Sequence, residues 1–170
     1  DGDPDQYRLL ARALADDVVM RFTGRRGVAS TQIAFVSDTR GNKEIFTMEA
    51  DGSNRRRVTG NGAINLFPGW SSDANSLVYT SFKGGRPDLW LIFRGPRKGA
   101  KLLDQPFDKY RGVWAPTGGS VAVVMNPAGN TDIYTVDARG AVLERLTNGR
   151  SIETSPSWSP DAKKIAFVSD

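Results

Sequence analysis

Trp70, Trp114 and Trp158 recur every 44 residues, and the sequence around them repeats in the same register without insertion or deletion. At that spacing Ile33, Leu77, Val121 and Ile165 align, as do Gly41, Gly85 and Gly129, then Glu44, Asp88 and Asp132, then Thr59, Leu103 and Thr147. Such a chain is a row of copies of one supersecondary unit, each of which hides its apolar face only against the next copy. A period of about 40 to 45 residues with short strands is the signature of propeller blades.

Each unit reads the same way. A short strand ends at Trp (Phe67 to Ser71, Gly112 to Ala115, Pro156 to Ser159) and enters a turn: Ser72-Asp73-Ala74-Asn75, Pro116-Thr117-Gly118-Gly119 or Pro160-Asp161-Ala162-Lys163. Pro presets φ at the first central turn position, and Asp and Gly are turn formers. A nearly continuous apolar run follows (Leu77-Val78-Tyr79, Val121 to Val124, Ile165 to Val168), which suits a strand covered on both faces. An alternating strand begins at Glu44, Asp88 or Asp132, and a basic outer strand ends at Thr59, Leu103 or Thr147. Four antiparallel strands per repeat make one blade, so the predicted fold is all-β: a β-propeller array of about three blades over residues 31–170.

Residues 1–30 belong to a different kind of sequence. Asp3 can cap a helix with Pro4 in its first turn, Tyr7, Leu10, Leu14, Val18 and Phe22 recur at helical spacing, and Gly24 ends it. A lone amphipathic helix cannot hide its apolar stripe. This segment is therefore expected either to pack on the blades or to be the tail of an upstream domain.

Composition closes several functional classes. The chain has no Cys and no His, which removes thiol chemistry, the commonest general base and the commonest metal ligand. No paired carboxylates in contrasting settings take their place: Glu44, Asp88 and Asp132 fall on different blades and are expected to accept backbone hydrogen bonds in adjacent turns. Asp38, Asp51 and Asp73 read as turn residues. The expectation is a non-enzyme without cofactor or metal. The net charge of +4 comes largely from Arg55, Arg56, Arg57, Arg94, Arg97, Lys98 and Lys101, on or beside outer strands, where positive side chains guard a sheet edge. The aromatics sit at core positions of the repeat and not among these cations, so nucleic-acid binding is not expected. No apolar run approaches membrane-spanning length.

The sequence also resembles a known family. Ala15-Asp16-Asp17-Val18 to Phe22-Thr23-Gly24, Thr31 to Val36, Gly41 to Phe46, Asp51-Gly52-Ser53-Asn54, Ile64-Asn65-Leu66 and Ser155 to Asp161 are similar to TolB, the periplasmic propeller protein of the Tol-Pal system. The resemblance covers essentially the whole chain, and its most specific part is the junction of helix, Thr-Gly and first blade. It implies a periplasmic scaffold that binds the peptidoglycan-associated lipoprotein Pal and other Tol proteins and supports outer-membrane integrity. The alternative is the non-catalytic propeller of a serine peptidase, or a TolB-like propeller with another partner. The chain departs from the family pattern at Ser72 (usually Pro), at Ala74 and Ala162 (usually Gly), and at Gly112-Val113 (usually Pro-Ala).

Ile165-Ala166-Phe167-Val168-Ser169-Asp170 duplicates Ile33-Ala34-Phe35-Val36-Ser37-Asp38, and one blade has no place for both. The simplest expectation is a piece of a longer protein; the alternative is two chains of three blades assembling into six. Either way the isolated chain is expected to self-associate.

Partner binding is expected where the repeat diverges most, at the loops entering the inner strands: Gly60 to Pro68, Asp104 to Gly112 and Asn148 to Pro156. Divergence within a regular scaffold marks a grafted site. The candidate residues are Asn65, Leu66, Asp108, Lys109, Tyr110, Arg111, Glu153 and Thr154. The resemblance places Pal contacts at Asp108, Arg111 and Thr154, of which only Thr154 keeps the family's residue type.

Overall fold

The structure is a computed structural model and describes residues 3–38, 41–96 and 98–170; Arg97 lies outside them. One helix, α1 (Pro4–Thr23), precedes thirteen strands. The first sheet holds β1 (Gln32–Ser37), β2 (Glu44–Glu49) and β3 (Arg56–Arg57). The second is a complete blade of β4 (Asn65–Trp70), β5 (Ser76–Ser81), β6 (Asp88–Phe93) and β7 (Ala100–Lys101). The third repeats it with β8 (Lys109–Trp114), β9 (Ser120–Met125), β10 (Asp132–Asp137) and β11 (Val142–Arg145). The last pairs β12 (Glu153–Trp158) with β13 (Ile165–Ser169).

The repeat therefore folds as four-stranded antiparallel blades, and the ring they belong to is not closed. The duplicated hexapeptides form β1 and β13 in separate sheets, and β12 pairs with β13. The inner strands start two or three residues before the expected positions, at Asn65, Lys109 and Glu153.

The core lies between the two complete blades. Val78, Leu89 and Leu91 of one meet Val121, Val123, Met125, Tyr134 and Val136 of the other, with Leu102 and Leu103 from the connecting segment. All six residues of β5 are buried, as a strand sandwiched between blades requires. Gly112 shows how tight that contact is: a Cβ there would come within 2.7 Å of Val78 Cγ2. The departure from Pro at this position is thus a packing fit to Val78.

Turns follow the repeat as well. Asp73 and Asp161 each accept from a Ser hydroxyl two residues back (2.6 Å) and from a backbone N–H two residues on (3.0 and 3.1 Å). Those bonds stabilise the ionised form and hold both carboxyls below the usual carboxylate range, the Ser hydroxyl contributing most. The next residues, Ala74 and Ala162, sit in the left-handed region at φ 55° and 57°, where the third copy has Gly118 at φ 76°.

The helix is capped as expected, by Asp3 accepting from Asp5 N at 3.0 Å and by Gly24 at φ 67°. Its stripe does not pack on the blades: Tyr7, Leu10, Leu14, Val18 and Phe22 are all exposed, Phe22 by 85%. Polar contacts attach it instead. Arg12 meets Glu49 of β2 at 3.1 Å, and the Asp16 carboxylate accepts from Ala29 N and Ser30 N at 2.7 and 2.9 Å. No helix among the described residues is long and apolar enough to cross a membrane.

Candidate functional site

Two side-chain rows run from blade to blade at the start of the inner strands. One is buried and structural. The other is presented outward.

The buried row consists of Asn65, Lys109 and Glu153, the first residues of β4, β8 and β12. Asn65 and Lys109 meet the first residues of β2 and β6 in the preceding sheets, Glu44 and Asp88, and Glu153 is linked to Asp132, the first residue of β10, through Thr147. Asn65 donates to Glu44 Oε2 at 2.9 Å, while the Thr59 hydroxyl donates to the same oxygen and accepts from Ile45 N at 2.8 Å. Lys109 Nζ stands 2.7 Å from Asp88 Oδ1, an ionic contact outside ideal hydrogen-bond alignment, and donates to the carbonyls of Gln105 and Phe107 at 2.7 and 2.9 Å. Lys101 reaches the other Asp88 oxygen at 2.8 Å. In the third copy Arg145 binds Asp132 at 2.6 Å, and Thr147 Oγ1 lies within 3.3 Å of Asp132 and 3.4 Å of Glu153.

Two expectations are corrected here. Asn65, Lys109 and Glu153, expected to meet a partner, are buried clasps between blades. Glu44, Asp88 and Asp132 are not turn acceptors of backbone N–H groups but the other half of those clasps. The basic outer positions divide as well. Arg56 and Arg57 are exposed edge residues, whereas Lys101 and Arg145 each hold a buried aspartate, and Arg55 lies 5.1 and 5.0 Å over the Phe35 and Phe46 rings.

The presented row follows two residues later. The register of β4 with β5 skips between Leu66 and Gly69, that of β8 with β9 between Tyr110 and Val113, and that of β12 with β13 between Thr154 and Ser157. Each skip is a β-bulge whose first residue adopts a left-handed backbone: Phe67 at φ 54°, Arg111 at 43° and Ser155 at 53°. Glycine normally takes that position, so three larger residues there store strain, of the kind that re-aims side chains next to functional sites. The residue after each is Pro68, Gly112 or Pro156, and Pro suits a bulge because it has no N–H to pair.

Inner strands of successive blades are neighbours, which brings these side chains together. The Arg111 guanidinium lies 5.4 Å over the Phe67 ring, and Arg111 N donates to Thr80 Oγ1 of the preceding blade at 3.0 Å. Tyr110 donates to Asp108 Oδ2 at 3.3 Å; burial first, then the Asp108 charge, pushes its hydroxyl pKa up. Of the expected partner residues, Leu66, Asp108, Tyr110, Arg111 and Thr154 are half-buried around this mouth. Phe67 and Ser155 were missed. Their signal was present in sequence, as two dissimilar residues in register with Arg111 before Pro or Gly.

No described residues form a group of three or more Asp or Glu able to hold a metal ion. The repeated four-stranded antiparallel sheets define the class: a β-propeller, here an open set of blades. The chain belongs to the TolB β-propeller family, whose domain model matches residues 19–170. It is 36% identical to a protein TolB homolog of Chlorobium luteolum over 99% of its length, and 34% identical to a Tol-Pal system protein TolB of Anaeromyxobacter dehalogenans over 92%. It spans 38% and 36% of those relatives. Among solved structures it is similar to TolB from Acinetobacter baumannii, with a TM-score of 0.83 at 24% identity over 100% of this chain and 44% of that one. The tricorn protease shares the fold, with a TM-score of 0.58 at 14% identity over 82% of this chain and 14% of that one.

Proposed function

We propose that the protein is a non-enzymatic protein–protein scaffold of the Tol-Pal system, acting in the periplasm, binding Pal at the inner-strand mouth and supporting outer-membrane integrity. The observation that carries this reading is the threefold bulge. Strained backbone holds Phe67, Arg111 and Ser155 outward at equivalent points, and strain of this kind is kept where a surface must be preorganised. Tyr110, beside Arg111, is an aromatic of the type that anchors interfaces. Relatives named as Tol-Pal components point to the partner. The peptidase-propeller alternative draws on likeness of fold alone.

Calorimetry of the full-length protein against its cognate Pal tests the reading. Tyr110→Ala should weaken binding at least tenfold, which is about 1.4 kcal/mol, and Arg56→Ala on the exposed β3 should change it little. A larger loss from Arg56→Ala would put the binding surface on the blade rim and refute the mouth assignment.

A further inference from the structure

Arg111 differs from the cations that hold carboxylates elsewhere in the chain. Arg12 pairs with Glu49, Lys101 and Lys109 share Asp88, and Arg145 pairs with Asp132. Arg111 forms no ion pair with any described residue, and its guanidinium donates to no described acceptor. Its side-chain contact is the face of Phe67, which leaves the edge of the guanidinium, where the N–H donors lie, unengaged. The nearby Asp108 carboxylate accepts instead from Tyr110.

The placement is not a loose surface accident. Arg111 is held at φ 43°, where glycine would be relaxed, and its N–H is fixed by the buried hydroxyl of Thr80 in the preceding blade. A guanidinium stacked on an aromatic ring, half out of water and lacking an anion, is preorganised for bidentate binding of a carboxylate. Two large apolar side chains of the adjacent inner-strand segment are exposed, Phe67 by 41% and Ile64 by 45%. A bare inorganic anion has no use for those two side chains. A protein segment that carries an acidic residue beside an apolar one would use both.

We infer that the mouth recognises a protein partner through a side-chain carboxylate bound by Arg111, with an apolar residue next to it packed on the exposed apolar side chains that begin at Phe67. This rests on the reading above that the mouth is the docking face, and it specifies the chemistry the partner must bring.

The full-length protein is titrated with its cognate Pal by calorimetry, as wild type, Arg111→Gln, Arg111→Gly, Arg111→Lys and Arg111→Glu. Arg111→Gln and Arg111→Gly should weaken binding at least tenfold, and Arg111→Lys by an intermediate factor, because it keeps the charge but loses the fork. Arg111→Gly also controls for folding, since glycine relaxes φ 43° and its melting temperature should be no lower than wild type. Lysine replacing one Asp or Glu of Pal should recover affinity for Arg111→Glu. Wild-type binding of Pal with Arg111→Gln within twofold, or no acidic residue of Pal coupled to Arg111, overturns the inference and leaves the Tol-Pal reading standing. If wild type does not bind Pal, that reading fails. The inference is then decided with the peptide acetyl-Glu-Trp-Asp-Phe-Glu-amide, followed at the Arg111 Nε–H in 15N spectra. A shift that the Gln/Asn isostere does not produce supports it, and an equal or absent response overturns it.

Discussion

Lys109→Met tests whether the blades are clasped by buried charge. Lys109 has no exposed surface; Nζ stands 2.7 Å from Asp88 Oδ1 and donates to two backbone carbonyls. Methionine keeps most of the stem and its packing, so the volume effect should stay below about 1.5 kcal/mol. What is lost is the compensation of Asp88, itself 3% exposed, along with the donors to the carbonyls of Gln105 and Phe107. Removing one member of a buried pair costs about 3–5 kcal/mol. Lys101 still reaches Asp88 at 2.8 Å, which places the expectation near the lower end, at about 3 kcal/mol. That is a large part of the roughly 5–15 kcal/mol that holds a domain together. The double variant Lys109→Met/Asp88→Asn leaves no buried charge unpaired, because Lys101 is solvent-exposed, and should lose at least ~1 kcal/mol less than the sum of the single variants. Urea unfolding at low salt, followed by tryptophan fluorescence, measures all three. A Lys109→Met loss under ~1 kcal/mol, or additive single variants, would show that apolar packing alone joins the blades and that the clasp reasoning is wrong.

Ala74→Gly and Ala162→Gly should each stabilise by about 1 kcal/mol by removing left-handed strain, and Gly118→Ala should destabilise by a similar amount; scanning calorimetry reads all three. Burial, with a smaller push from the Glu44 charge, drives the Tyr79 hydroxyl up to about 12 from its ordinary 10.0. Its contribution is therefore intact below pH 10.0 and drains away as pH rises towards 12, so Tyr79→Phe should flatten the alkaline decline of the urea midpoint. Asp73 and Asp161 act in the opposite direction: their carboxyls are held below 3.8, so their contribution is intact above 3.8 and is lost as pH falls through the lowered value. Asp73→Asn and Asp161→Asn should flatten the acid limb of the same curve. The 170-residue chain leaves Ile33 of the first sheet, Val142 and Leu143 of the third and Phe167 and Val168 of the last exposed, and should self-associate at micromolar concentration. A well-behaved monomer by light scattering would overturn that expectation.

The 44-residue period alone determined the blade and much of its detail. Strand order, the Asx turns at Asp73 and Asp161, the glycine turns and the fully buried β5 all follow from short-range chemistry repeated in register. That chemistry needs no knowledge of the neighbouring blade. The same holds for the helix, whose cap, Pro and terminal Gly are contiguous. Only the tertiary structure decided which polar residues at the head of the inner strands are buried and which are presented. Asn65 and Lys109 answer the carboxylates of Glu44 and Asp88, whereas Glu153 meets the Thr147 hydroxyl that also contacts Asp132, and those pairings are written in distant segments. One residue step sets the result. The bulge shifts the alternation of β4, β8 and β12, so that position one of each strand points into the interface and Phe67, Arg111 and Ser155 turn out of it. A period-two reading of a regular strand cannot anticipate that shift. The open stripe of α1 has the same origin: helical spacing shows that an apolar face exists, and only the packed molecule shows that these blades do not cover it.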